Sequence, residues 1–104
     1  MALIKLNKDN FDEIVNGSES KVLIDFYADW CGPCKMLAPT IEAIAQDHPE
    51  LTICKVNVDD DVDLAIKYGI ESIPTIIVTR SGEVVSRAVG VRTKEYILTM
   101  LKEQ

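Results

Sequence analysis

Apolar and polar positions follow two periods along this chain, and the switches between them mark out strands and helices. Leu3 to Leu6 reads as a short strand. Asn7 to Asn10 supplies capping residues for a helix with Phe11, Ile14 and Val15 on one face, stopped near Gly17. The run Val22 to Ala28 is apolar except for Asp25, and it predicts a central strand buried on both faces. Lys35 to Gln46 predicts a helix, with Leu37, Ile41, Ile44 and Ala45 at helical spacing. Pro33 suits the first turn of that helix, and Pro39 inside it should bend it. Leu51 to Val58 predicts another strand, and Asp59-Asp60-Asp61 an acidic cap for a helix over Val62 to Tyr68 that ends at Gly69. Pro74 opens a strand over Thr75 to Thr79, which turns at Ser81-Gly82 into Glu83 to Val89. Thr93 to Lys102 closes as an amphipathic helix with Tyr96, Ile97, Met100 and Leu101 as its apolar positions. Strand–helix alternation followed by a hairpin predicts an α/β sheet covered on both faces, parallel first and antiparallel at the end.

Composition narrows the function classes. The 104 residues suffice for one domain over 1–104, and no linker, repeat or low-complexity segment divides them. With 47% hydrophobic and 27% charged residues the chain needs neither a disordered nor a membrane class. A net charge of −6, without a local basic stripe, argues against nucleic acid and anionic membrane surfaces as partners. Recognition is then expected through shape, backbone pairing and apolar contact, by a monomer. The start, Met1-Ala2-Leu3-Ile4-Lys5, lacks the basic region and long apolar core of a signal peptide, so a cytoplasmic setting is expected. There a dithiol stays reduced, and a CxxC is catalytic rather than structural.

The chemistry concentrates in Trp30-Cys31-Gly32-Pro33-Cys34, placed where a strand gives way to a helix. Unpaired N–H groups and the positive end of the helix dipole stabilise a thiolate on Cys31, and Cys34 lies one turn on, within reach of a disulfide. A rival is structural zinc, since Cys54 and His48 complete a Cys3His set by count, but the spacing fits no common zinc pattern. Gly32-Pro33 adds no charge between the sulfurs, so thiolate stabilisation falls to the helix end and Lys35, and the pair should act as a reductant. Asp25 is either a buried carboxylate of raised pKa, suited to accept the Cys34 proton, or a surface residue on an edge strand. Lys55 is either its partner or a surface lysine whose stem lies along the protein. Trp30 beside the turn is a core edge or a substrate platform, Cys54 a small core residue, and Pro74 on sequence alone an ordinary trans proline.

Taken together, these residues resemble the thioredoxin family over essentially the full length. The likeness rests on Asp25-Phe26-Tyr27-Ala28, Trp30 to Lys35, Pro39, Lys55 to Asp59, Tyr68-Gly69-Ile70, Ile73-Pro74-Thr75, Gly82 and Gly90. It implies the thioredoxin fold: a central mixed five-stranded sheet flanked by four helices on both faces. It also implies a redox-active disulfide between Cys31 and Cys34, with Cys31 as nucleophile and Cys34 resolving, and Asp25 as acid/base with Lys55 nearby. A lowered cysteine pKa and a reducing potential are family properties of the same kind. The implied substrate groove is formed by Trp30, Gly32, Pro33, Ile73, Pro74, Thr75, Val89, Gly90 and Val91, with a cis bond before Pro74. Implied partners are disulfide-containing proteins and a separate thioredoxin reductase, through which NADPH is used indirectly; no bound cofactor or metal is expected. Tyr27, where many members carry tryptophan, and Glu71, which with Asp29 makes the rim more acidic, are departures.

Overall fold

The computed structural model describes residues 3–102. Five strands form one sheet in the order β1-β3-β2-β4-β5. They are β1 (Ile4–Lys5), β2 (Val22–Tyr27), β3 (Thr52–Asn57), β4 (Thr75–Arg80) and β5 (Glu83–Val89). The first three run parallel, and β4 and β5 are antiparallel, as the alternation predicts. The helices are α1 (Gly32–Asp47), α2 (Val62–Lys67), α3 (Lys94–Lys102) and a π-helical turn at Asp12–Asn16. Among the described residues no helix is long and apolar enough to cross a membrane.

Side-chain alternation along β2 divides the core into two layers. Leu23, with Ile53, Ile76 and Val78, packs beneath Leu37, Ile41 and Ile44 of α1 and Ile97, Met100 and Leu101 of α3. Val22, Ile24 and Phe26, with Cys54, Val56 and Ile77, pack against Phe11, Val15, Leu64 and Tyr68 on the opposite face. Each layer is a contiguous apolar cluster, and burial of this kind contributes about 25 cal/mol per Å² of apolar surface.

Three local expectations are corrected. The segment after Asn10 is helical as expected, wound as a π-helical turn, but its Phe11 N-cap makes no side-chain capping bond. Asn7 and Asn10 instead bond each other's backbone N–H groups, at 3.1 and 2.8 Å, in the turn before it. Tyr96 lies 48% exposed on the outer face of α3, beside Arg92, while Leu98 packs partly against the core. Asp61 occupies the N-cap of α2 without a side-chain bond, so the acidic triplet is not the cap its position suggested. The β4–β5 turn matches expectation: Ser81 and Gly82 have φ of 54° and 83°, the two-residue geometry that follows the twist of the strands.

Candidate active site

β2 ends at Tyr27, and the chain turns at once into α1, which brings two sulfurs to the rim of the sheet. Cys31 is the N-cap of α1, in extended backbone (φ −90°, ψ 114°), and its Sγ accepts the Cys34 N–H at 3.2 Å. The sulfur therefore stands where a serine or aspartate oxygen would satisfy the open donors of a helix start. The helix dipole favours negative charge there, so the local fold stabilises a thiolate on Cys31. Exposed Gly32 and Pro33 occupy the first helical positions, where a missing N–H costs nothing. Cys31 and Cys34 are joined as a disulfide, with Cα atoms 5.2 Å apart.

The two sulfurs differ in their neighbours rather than in exposure, which is 5% for Cys31 and 3% for Cys34. Cys31 Sγ faces the Ile73 carbonyl oxygen at 3.8 Å. Cys34 lines a cavity of about 180 Å³ whose wall also includes Asp25, Tyr27, Asp29, Lys35, Glu42 and Lys55. Asp25 is 4% exposed on β2, in register with Lys55 on β3 and Ile76 on β4. That placement excludes the edge-strand reading. Its Oδ1 has no hydrogen-bond partner among the described residues, and burial pushes its pKa from 3.8 to about 7 against the opposing pull of Lys55. A carboxyl of this kind takes or gives a proton near neutrality, one cavity away from Cys34. Among the described residues Lys55 forms no direct ion pair with Asp25. Half-buried, its ammonium stands over the Tyr27 ring, 5.6 Å from the centroid.

Around the disulfide lie residues expected to form a substrate groove. Trp30 is 70% exposed, which favours a platform over a core edge. The Ile73–Pro74 bond is cis, and Pro74 is buried. The Pro74 carbonyl accepts the Gly90 N–H at 2.8 Å; Gly90 has a φ of 95°, which suits glycine. Thr75 Oγ1 donates to the Ser72 carbonyl at 2.6 Å, and Thr75 pairs with Val89 across the hairpin. Val89 and Val91 remain exposed beyond it.

Sequence reading missed one contact beside the disulfide. Trp30 Nε1 donates to Asp59 Oδ2 at 2.8 Å, and Asn57 Oδ1 accepts the Asp59 N–H at 2.9 Å, so this loop aims the indole. Trp30 and Ile73 also border a shallow apolar pocket of about 190 Å³ with Val58, Ala65 and Ile70. The signal was present in the acidic triplet, but only tertiary contact distinguishes a cap from a tryptophan acceptor. Cys54 lies wholly buried in the opposite core layer, where desolvation pushes its thiol up to about 12. The Cys3His set is not assembled, and among the described residues no three His, Cys, Asp or Glu side chains converge as metal ligands.

The thioredoxin family profile matches residues 2–103. The chain is 42% identical over 99 residues to thioredoxin of Chlamydia trachomatis serovar D and 39% identical over 98 residues to that of Chlamydia pneumoniae, covering 94% of each partner in both cases. It is 39% identical over 100 residues to the chloroplastic M-type thioredoxin of Zea mays, covering 95% of this chain but 60% of that protein. Its fold superposes on a mutant thioredoxin from Halobacterium salinarum NRC-1 with a TM-score of 0.87 and 31% identity, over 97% of this chain and 88% of the other. With a CxxC disulfide at a helix N-cap, a buried carboxyl behind it and this match from end to end, the chain belongs to the thioredoxin family.

Proposed function

We propose that the protein is a general protein disulfide reductase working by dithiol–disulfide exchange. The observation that carries this reading is the Cys31–Cys34 bond at the start of α1, with one sulfur open toward the groove and the other toward Asp25. In the reduced protein Cys31 thiolate attacks one sulfur of a substrate disulfide; that bond breaks, and the first substrate thiolate leaves. Cys34 gives its proton to the Asp25 carboxylate and attacks Cys31 Sγ. The mixed disulfide breaks, the second substrate thiolate leaves, and the Cys31–Cys34 disulfide is formed. Two electrons have passed from the dithiol to the substrate.

An extended substrate segment adds to the backbone of Ile73–Thr75 and Val89–Val91, with Trp30, Gly32 and Pro33 beside the reacting sulfurs. Lys55 tempers the proton affinity of Asp25. Re-reduction falls to a separate thioredoxin reductase drawing on NADPH; this chain acts as a monomer in the cytoplasm, where the dithiol state is maintained.

The test is turnover of a disulfide-bonded protein with NADPH and a thioredoxin reductase supplied. Cys34→Ser should accumulate a covalent substrate adduct on Cys31, whereas Cys31→Ser should be inactive and trap nothing. Equal trapping by both variants, or turnover without either cysteine, would refute the assignment.

A further inference from the structure

Tyr27 belongs to no step described so far, yet it touches the groups that flank the proton acceptor. It stands one residue before the end of the central strand's apolar run, at the C-terminal end of β2, in register with Asn57 on β3. Two residues back along each strand, and so on the same face, lie Asp25 and Lys55. Tyr27 and Lys55 both line the Asp25 cavity, and the Lys55 ammonium sits 5.6 Å from the ring centroid. No carboxylate among the described residues pairs directly with Lys55.

We propose that Tyr27 is a positioning residue for proton transfer: its aromatic face holds the Lys55 ammonium at the mouth of the Asp25 cavity, so that the cation acts on the carboxyl without pairing with it. The inference rests on the reading of Asp25 as the proton acceptor for Cys34. Its physical basis is the attraction of a cation to the ring quadrupole, which is strongest where water is partly excluded. A free lysine has four rotatable bonds and a strongly hydrated head, so without the ring it would extend into water, where its field at Asp25 is screened. A direct ion pair would hold Asp25 ionised and unable to exchange a proton near neutrality. A lysine released to solvent would leave burial unopposed, and Asp25 would stay protonated to higher pH. The ring sets an intermediate distance between these extremes.

Other charges face the cavity and must be held constant in any test. They are Lys35 and Glu42 from α1 and Asp29 from the loop after β2, with Cys34 as the titrating thiol. From β1, Lys5 is the register neighbour of Lys55, but its ammonium turns to Asp60 at 3.9 Å.

The experiment is carbon-13 NMR of the Asp25 carboxyl in the oxidised full-length protein, titrated in the unsubstituted chain and in Tyr27→Phe, Tyr27→Leu, Lys55→Met and the Leu/Met double variant. Tyr27→Phe keeps the ring and should keep the midpoint, whereas Tyr27→Leu should raise it by about half a pH unit or more, in the direction set by loss of a neighbouring cation. In the Lys55→Met background Tyr27→Leu should produce no upward shift, because the cation through which the ring acts is gone. The rate of substrate turnover at pH 6.5 should fall two- to threefold in Tyr27→Leu, about the protonation change expected from that shift, and recover in Tyr27→Phe. An unchanged or lowered midpoint in Tyr27→Leu would overturn the proposal, as would the same upward shift with and without Lys55. Because the titration reads Asp25 whether or not it takes the Cys34 proton, failure of Tyr27 is distinguishable from failure of Asp25 as acceptor.

Discussion

Cys54 and the Cys31–Cys34 pair share a side chain and little else. Cys54 sits in mid-strand on β3, sealed into an apolar layer with no anion-stabilising donor, and burial lifts its pKa to about 12. Cys31 sits at the open end of a sixteen-residue helix, with a backbone N–H on its sulfur and the macrodipole behind it. The residue type is neutral between the two outcomes; a helix start makes a nucleophile, and the middle of a sheet makes an inert core residue. Cys34 adds the second half of the lesson. Its sulfur borders a cavity shared with a carboxyl far from it in sequence, held by the adjacent strand.

The sharpest way to break that comparison is to exchange the sulfurs for oxygen. Cys31→Ser or Cys34→Ser should abolish multiple turnover in the reductase-coupled assay, while Cys54→Ala should leave its rate within about twofold, since the buried thiol takes no part in exchange. A lost rate in Cys54→Ala with the fold intact would erase the distinction.

Next in size is Asp25, the group that distinguishes the surroundings of Cys34 from those of Cys54. Its pKa rises from 3.8 to about 7 on folding, so between those values the folded chain binds more protons than the unfolded one. Stability on this account declines as pH rises from about 4 to 7 and stays low above it, by up to ~4 kcal/mol at 1.36 kcal/mol per unit. Asp25→Asn should therefore be more stable than the parent at pH 8 in denaturant titration, with the gain fading towards pH 4. In the same variant resolution of the mixed disulfide near neutral pH should slow more than the initial attack, read by rapid quench. A stability gain independent of pH would separate Asp25 from this account.

A smaller effect comes from the platform beside Cys31. Asp59→Ala frees the Trp30 indole from its acceptor and should raise KM for a protein substrate several-fold, with kcat little changed. The smallest is Cys54→Ala in stability, where removal of one buried sulfur costs about 1 kcal/mol, the scale of a small core deletion.

Much of this was legible in the order of residues. The two periods of apolar positions located all five strands, and the strand-to-helix setting of the CxxC pointed to its chemistry. What periodicity could not supply was relation across the sheet. Asp25 and Lys55 are thirty positions apart, and only the parallel register of β2 with β3 makes them neighbours. Asp59 looked like a helix cap because acidic residues favour helix starts, and a tryptophan from another loop claimed it instead. Tyr96 counted as apolar by its ring, yet its place on α3 faces outward towards Arg92. The segment Asp12–Asn16 is wound as a π-helix while Phe11 and Val15 are buried in one layer, a winding that helical spacing alone does not distinguish.

The most direct test of the central claim is pH-dependent alkylation of the reduced, folded protein, with each cysteine followed by mass spectrometry. Cys31 should react first and titrate below the ordinary thiol value of about 8.5, a property for which thioredoxins are a standard example, while Cys54 stays unmodified until the chain is unfolded. Equal rates at Cys31 and Cys54 in the folded protein, or a Cys31 profile matching that of the unfolded chain, would contradict the account.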